Sequence, residues 1–219
     1  MADPITRTER RKLLTRANLL AACEQQISTA GLAGLSIQTT TELADVALGT
    51  FYNHFANKEE LVEEVLTRDN QRMHGAIRAL QDRARDDVER VAAVVATCVW
   101  RAVREPGWAR FAAEFWSQGR WPTDDLHESQ LVPALRSGLA SGDFDVADGS
   151  LAIVGARDMV GGLLRQYADE DGAVADELLL RYAVGTVLRM FGASAQAIQD
   201  TTRWALEHPL TTAEFEEVA

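Results

Sequence analysis

Apolar residues recur every three or four positions along most of this chain, which is the spacing of one face of an α-helix. In the first such segment the repeat occupies five positions, Leu13, Ala17, Leu20, Cys23 and Ile27. It predicts an amphipathic helix over residues 7 to 29 that ends near Gly31. Because only five prolines interrupt the 219 residues, similar helices are permitted along most of the chain. We therefore predict an all-α fold.

Two domains are predicted from the helical pattern. A short helix over residues 36 to 44, a break at Asp45 and a compact helix over residues 47 to 55 follow the first helix. Asn57 is a favourable N-cap for a long helix that leads into the rest of the chain. We expect an N-terminal domain over residues 1 to 56 and a larger helical domain over residues 57 to 219.

The larger domain is predicted to be a helical bundle. Residues 87 to 104 are apolar on almost every side, which is typical of a central helix. Three prolines then divide an aromatic-rich segment into shorter helices. The last helices are predicted over residues 146 to 168, 174 to 191 and 195 to 206.

Charge is distributed unevenly along the chain. The formal net charge is -11, and residues 61 to 219 hold 26 acids and 16 bases. The first twenty residues have the opposite balance, with two acids against five bases, Arg7, Arg10, Arg11, Lys12 and Arg16. Because charges are screened over about 8 Å at physiological salt, a distant acidic body does not oppose a basic contact with DNA. We expect the acidic part to face away from such a contact.

The sequence gives little support for an enzyme. Its four histidines are scattered, and it has no HExxH pair, paired-cysteine pattern, phosphate-binding glycine loop or nucleophile elbow. Cys23 and Cys98 lie in apolar helical surroundings, which predicts two reduced core thiols. We expect no catalysis, no metal and no cofactor. The other alternative to a DNA-binding protein is a helical module that binds proteins.

The chain lacks the sequence signals of a membrane or secreted protein. No segment approaches the roughly 18 consecutive apolar residues of a membrane span. The N-terminal residues are charged where a signal peptide would be apolar. We expect a cytoplasmic protein with no membrane partner.

Residues 36 to 55 have the pattern of a helix-turn-helix, in which the second helix enters the major groove of DNA. Val46, Phe51 and Phe55 are spaced to hold the second helix against the first. Asp45 occupies the turn, where a left-handed backbone is usual. Aspartate tolerates that conformation better than most residues.

A longer motif begins in this turn. The segment VALGTFYNHF at residues 46 to 55, followed by NKEEL at residues 57 to 61, resembles the recognition helix and the start of the fourth helix in the TetR family of transcriptional regulators. The pattern agrees from Leu13 to Leu66, and the rest of the chain agrees in length and helical layout. The resemblance implies an N-terminal three-helix DNA-binding domain and a C-terminal bundle for ligand binding and dimerisation.

The resemblance also implies which residues contact DNA. These are Ser36, Gln38, Thr39, Leu48, Gly49, Thr50, Tyr52, Asn53, His54 and Lys58. Hydroxyl, amide and imidazole groups bond to phosphates or bases, and Gly49 leaves room for the DNA backbone. Lys58 lies at a helix N-terminus, where a phosphate is favoured, and Ser36 is also an N-cap candidate. Packing between helices is the alternative role for Tyr52 and His54.

Three residues depart from the family pattern. Thr40 and Thr41 stand where an aliphatic residue and alanine are usual, and Leu48 stands where a polar or basic residue is common. The threonine hydroxyls are expected to bond back to the preceding turn, which makes their burial tolerable. Leu48 either touches a thymine methyl group or only supports the helix.

A homodimer on a palindromic operator is expected, because one short reading helix gives little discrimination and two copies one DNA turn apart give more. The helices over residues 146 to 168 and 174 to 191 are predicted to pair with their symmetry mates as a four-helix bundle, as the resemblance also implies. The alternative is that these helices complete the core of a monomer.

The family resemblance further implies a small-molecule effector. An aromatic cluster from Trp100 to Trp121 is expected to line a cavity for a largely apolar ligand. The candidate lining residues are Trp100, Trp108, Phe111, Phe115, Trp116, Met159 and Tyr167. Ordinary core packing is the alternative for each of them. We predict a repressor that the ligand releases by shifting the helix from Asn57, and activation stays open as the alternative.

Overall fold

The computed structural model describes residues 6–117, 127–169 and 174–216. Within these ranges every regular element is helical, as predicted. The α-helices are α1 Arg7–Ala30, α2 Ile37–Leu43, α3 Leu48–Phe51, α4 Lys58–Gln81, α5 Asp87–Arg104, α6 Pro106–Ser117, α7 Val132–Ser141, α8 Gly149–Asp169, α9 Asp176–Met190, α10 Ala195–Glu207 and α11 Thr212–Glu216. A short 3-10 turn, Leu32–Gly34, follows α1, and a π-helical turn, His127–Leu131, precedes α7.

The chain divides into two compact units, and the boundary between them in the sequence lies within α4. The first unit extends through Arg68 and the second begins at Asp69. The functional boundary expected after residue 56 stays a prediction, because α4 contributes its first part to one unit and the remainder to the other.

The first unit is built around the packing of α1 on α2 and of α2 on α3. Cys23, Ile27, Phe51 and Leu61 are buried in its core. The helix α1 ends as predicted, because Gly31 has a backbone φ of 69°, a left-handed value that favours glycine.

The second unit is organised around α5, which packs against α6, α7, α8, α9, α10 and α11. Its valines and alanines are buried on most sides, including Val91, Ala92, Val95 and Val99. This confirms the prediction of a central helix at residues 87 to 104. None of the helices in the described ranges is long and apolar enough to span a membrane.

Some helix boundaries differ from the prediction. The helix predicted from residue 146 begins at Gly149, because the Asp148 carboxylate accepts hydrogen bonds from the backbone N–H groups of Ser150 (2.9 Å) and Leu151 (3.0 Å) and so caps the first turn. The short C-terminal helix α11 was not predicted. Its Phe215 is 1% exposed, and one buried aromatic residue in five leaves no helical period in the sequence.

Candidate DNA-binding domain and effector cavity

The start of α2 is fixed by two side chains. The Ser36 hydroxyl accepts a hydrogen bond from the backbone N–H of Thr39 at 3.1 Å, so Ser36 is the predicted N-cap. Gln26, which is buried in α1, donates to the Thr40 hydroxyl at 2.6 Å and accepts from the backbone N–H of Ser36 at 3.2 Å. Gln26 was missed in the sequence, because its glutamine side chain interrupts an otherwise apolar face.

The turn between α2 and α3 has the predicted conformation. Asp45 has a φ of 53°, in the left-handed region where aspartate is better tolerated than most residues. The Thr40 and Thr41 hydroxyls donate to the carbonyls of Ser36 and Gln38, each at 2.8 Å. Both threonines are buried, and these bonds satisfy their hydroxyls as expected.

The helix α3 is shorter than the predicted helix over residues 47 to 55. After Phe51 the backbone tightens, because the N–H of Asn53 bonds to the carbonyl of Thr50 at 3.2 Å and the N–H of His54 bonds to that of Phe51 at 2.8 Å. Such three-residue spacing is common in the last turn of a helix. The chain therefore leaves α3 in a narrow turn formed by residues 52 to 54.

Most of the predicted recognition residues point outward. Leu48 is 52% exposed and Tyr52 is 56% exposed, and Gly49 and Asn53 are also exposed. A Cβ atom on Gly49 would meet no atom within 4 Å, so the backbone is open to an approaching surface. Thr50 and Ser36 are half-buried, and Gln38 and Thr39 are exposed on α2.

His54 and Lys58 are held more closely by the protein. The His54 ring is half-buried beside Phe55, and its Nδ1 atom is shielded from solvent and has no hydrogen-bond partner among the described residues. Burial, followed by the charges of Arg16 and Lys12, lowers the pKa of the His54 side chain. The Lys58 ammonium donates to the carbonyl of Leu35 at 3.3 Å. Contacts of these two residues with DNA stay predictions.

One N-terminal base is already engaged within the first unit. The Arg16 guanidinium donates from Nε to Oε1 of Glu64 at 2.7 Å, and its Nη2 pairs with Oε2 of the same carboxylate. Its Nη1 donates to the carbonyl of His54 at 2.7 Å. Of the five N-terminal bases, Arg7, Arg10, Arg11 and Lys12 are exposed and Arg16 is half-buried.

Residues 19–65 match the family model described as bacterial regulatory proteins, tetR family. This N-terminal segment of the chain belongs to the TetR family. The assignment made from the motif at residues 46 to 61 is confirmed, and the TetR-family regulator is a helix-turn-helix transcriptional regulator.

Solved structures resemble the TetR-family regulator over most of its length. RolR in complex with its ligand resorcinol is 23% identical, with 88% of this chain and 95% of RolR covered and a TM-score of 0.59. The fatty acid degradation regulator FadR from Bacillus halodurans is 19% identical, covering 80% and 94%, with a TM-score of 0.68. A TetR family transcription regulator from Marinobacter aquaeolei VT8 is 16% identical, covering 84% and 99%, with a TM-score of 0.70. At these identities the likeness shows the fold. No match was found among curated proteins.

A small cavity lies in the second unit, between α5, α6, α8, α9 and the π-helical turn. It encloses about 40 Å³ and is lined by Val94, Val95, Cys98, Trp116, Leu131, Ala156, Arg157, Val160 and Val187. The lining is apolar apart from the Cys98 thiol and the Arg157 guanidinium, whose Nε donates to the Asp158 carboxylate at 3.0 Å. Apolar walls with few polar groups are typical of small-molecule sites, but those sites enclose roughly 300 to 1,000 Å³, so this cavity is much smaller than a typical ligand site.

The predicted cavity residues have different places. Trp116 lines the cavity, while Phe111 and Phe115 form a buried pair whose ring centroids are 5.0 Å apart. Trp100 is buried, and Met159 is half-buried. The Tyr167 hydroxyl donates to the Asp176 carboxylate at 3.3 Å. Trp121 lies outside the described residues.

Trp108 belongs to a buried ionic cluster of the second unit. Its indole N–H donates to the Asp69 carboxylate at 3.1 Å, and the same carboxylate pairs with Arg101 at 2.6 Å. The Arg101 guanidinium lies 4.8 Å from the centre of the Trp108 ring. Asp69, which interrupts the apolar stripe of α4 in the sequence, is therefore a buried partner and not a solvated residue.

Proposed function

We propose that this TetR-family regulator is a homodimer that binds a palindromic operator in double-stranded DNA and represses transcription until a small, largely apolar effector releases it. The observation that carries the proposal is the outer face of the helix-turn-helix. There Gln38, Thr39, Tyr52 and Asn53 are exposed while Phe51 is fully buried. Exposed side chains of these types bond to phosphates and base edges.

In this proposal α3 lies in the major groove and α2 lies across the DNA backbone. The proposed contacts are made by Ser36, Gln38, Thr39, Leu48, Gly49, Thr50, Tyr52, Asn53, His54 and Lys58. The open space at Gly49 allows the helix to approach the sugar-phosphate backbone. For the exposed Leu48 side chain the proposed contact is an apolar one with a thymine methyl group.

The dimer interface is proposed on α8 and α9. These two helices expose large apolar side chains, with Leu151 71%, Val154 44%, Leu178 59% and Tyr182 56% exposed. Leu151 and Val154 are three residues apart, and Leu178 and Tyr182 are four apart, so each pair shares one helix face. A two-fold axis beside these faces would bury them in a four-helix bundle.

The effector is proposed to bind in the cavity beside Trp116. Its apolar lining favours a small apolar molecule, and its volume of about 40 Å³ means that the lining side chains must move apart when the effector enters. One protein of the same fold, RolR, is solved with the small aromatic ligand resorcinol. Effector binding shifts α4, which begins in the first unit and ends in the second, and so changes the spacing of the two reading helices. The effector acts through its difference in affinity for the two states.

Selection from genomic DNA tests the proposed function. Purified full-length protein is incubated with sheared genomic fragments at low salt, and the bound fragments are sequenced. We expect enrichment of a site with two inverted half-sites, centred about one DNA turn apart. A panel of small apolar molecules, together with the aromatic diol resorcinol, is then screened for release of that fragment. Failure to enrich any site at low salt would overturn the proposal.

The proposed dimer is tested by measuring the molar mass of the protein in solution. Light scattering of the wild-type protein is expected to give twice the chain mass, and the Leu151→Glu, Leu178→Glu double variant is expected to give the mass of one chain. Leu14→Glu is the matched control, because Leu14 is 63% exposed but lies in the first unit. A wild-type protein of single-chain mass at micromolar concentration would contradict the proposed dimer.

A further inference from the structure

Arg16 joins three different parts of the first unit. It lies on α1, and its guanidinium holds the Glu64 carboxylate of α4 through two nitrogen atoms. Its third nitrogen, Nη1, donates to the carbonyl oxygen of His54 at 2.7 Å. The guanidinium carbon also lies 4.3 Å from the centre of the Phe55 ring. Through this one side chain, α1 is joined to α4 and to the turn that follows α3.

The contact with His54 occurs where α3 would otherwise be weakly held. Carbonyl groups in the last turn of a helix lack partners within the helix, and α3 has one turn only. The Arg16 donor satisfies the His54 carbonyl, and the stacked Phe55 ring is fixed in the core beside it. Arg16 therefore holds the last residue of the turn that the backbone bonds of Asn53 and His54 form after α3.

The contact with Glu64 fixes Arg16 in turn. A carboxylate that accepts two hydrogen bonds from one guanidinium is held in a defined plane, and a lysine ammonium does not reproduce that geometry. The pairing also neutralises the charge of Arg16. From the sequence alone, Arg16 is one of the five N-terminal bases expected to be available to DNA. The exposed bases Arg10, Arg11 and Lys12 carry no such pairing in the described part of the first unit.

We propose that Arg16 is a positioning residue that sets the orientation of the reading helix by holding the His54 carbonyl to Glu64 on α4, and that it does not bind a DNA phosphate. The inference rests on the proposed role of α3 in reading the operator. It assigns to Glu64, an acid, a favourable effect on DNA binding. It also makes the Arg16 contact the point where α4 is joined to the end of α3.

Removal of Glu64 gives the sharpest test. Loss of an acidic group beside a polyanion would by itself raise DNA affinity. The proposal predicts instead that Glu64→Gln weakens operator binding about tenfold, the loss expected when about one base contact is spoiled, while binding to unrelated DNA is unchanged or slightly tighter. Glu59→Gln is the matched control on the exposed first turn of α4, and we expect it to leave operator affinity unchanged or slightly higher.

Salt dependence separates positioning from phosphate binding. Arg16→Gln is expected to lower operator affinity without changing the slope of log K against log salt, whereas Lys12→Gln is expected to reduce that slope by about one for each phosphate contact removed. Arg16→Lys keeps the charge but loses the two-nitrogen contact, so we expect it to behave like Arg16→Gln. The ion pair is partly exposed, at 32% and 28%, and such pairs add little to stability, so all variants should fold, which circular dichroism checks.

The outcomes are distinguishable. If the wild-type protein binds no operator, the proposed function fails. If the wild type binds and Glu64→Gln binds as tightly or more tightly, the positioning role is wrong. It is also wrong if Arg16→Gln reduces the salt slope as Lys12→Gln does, or if Arg16→Lys restores wild-type operator affinity.

Discussion

The indole ring of Trp116 lies 2.8 Å from the point where a Cβ atom would stand on Gly161. Real Cβ atoms essentially never come this close to another heavy atom, so the close packing of α6 on α8 requires glycine at this position. Trp116 also lines the cavity of the second unit. The position of one wall of the cavity therefore depends on the absence of a side chain on the neighbouring helix.

The first prediction is that Gly161→Ala lowers the free energy of unfolding by about 1 to 3 kcal/mol, the usual effect of overpacking a core. Urea unfolding measures this loss. The control is the same substitution in a Trp116→Leu background, where the smaller side chain leaves room for the new methyl group. If Gly161→Ala costs the same in both backgrounds, the contact with Trp116 is not its cause.

The second prediction concerns the buried pair of Asp69 and Arg101, whose side chains are 4% and 2% exposed. Asp69→Asn leaves the buried guanidinium with the more distant carboxylate of Glu105, at 3.5 Å and 34% exposed, and is expected to cost about 3 to 5 kcal/mol of unfolding free energy. Asp200→Asn is the matched control, because Asp200 pairs with Arg203 at the surface and its loss should cost about 1 kcal/mol or less. If the two variants lose equal amounts of unfolding free energy in urea, burial is not the reason for the effect of Asp69→Asn.

Local features of the fold were predictable from the sequence because neighbouring residues determine them. The left-handed turn at Asp45 and the N-cap at Ser36 depend on a few adjacent positions, and both are confirmed. Asn57 caps α4 as predicted, since its side-chain oxygen accepts from the backbone N–H of Glu60 at 2.8 Å. The recognition motif also consists of neighbouring residues, at positions 46 to 61, so the family resemblance could be recognised from the sequence.

Contacts between distant residues were not predictable in this way. Arg16 and Glu64 are separated by 48 positions, and nothing near Arg16 in the sequence distinguishes it from the exposed bases before it. Asp69 meets Arg101 only after α4 and α5 have packed. The cavity is lined by residues from five elements. The aromatic content of one segment predicted apolar walls, but it did not predict which residues form them.

The third prediction concerns His54, whose pKa is lowered by burial and then by the charges of Arg16 and Lys12. Because the folded state binds the proton more weakly than the unfolded state, His54 contributes stability above its ordinary pKa, and this contribution is lost as the pH falls. Lys12→Gln is expected to raise the pKa of His54 toward its ordinary value, as measured by NMR titration of the ring. Arg10→Gln is the control from the same exposed helix, and an equal shift in both variants would contradict a specific effect of Lys12.

The fourth prediction follows from the two thiols, because burial raises the pKa of both Cys23 and Cys98 to about 12. In the unfolded chain both thiols ionise near their ordinary pKa of about 8.5. The folded state therefore keeps protons that the unfolded state has lost, and stability should fall as the pH rises above that value, by about 1.4 kcal/mol per pH unit for each thiol.

The slope of this pH dependence is the quantity to measure, since other groups also titrate in alkali. Unfolding free energies from urea titrations between about pH 9 and 11 should decline less steeply in Cys98→Ala than in the wild type, by the contribution of one thiol. Replacing the Cys98 side chain by a methyl group also changes the free energy of unfolding, but it does so by the same amount at every pH. The slope against pH therefore reports only the ionisation of the thiol. Parallel slopes for the two proteins would mean that the Cys98 thiol ionises in the folded state, and its place in the wall of the cavity would then not exclude the thiolate.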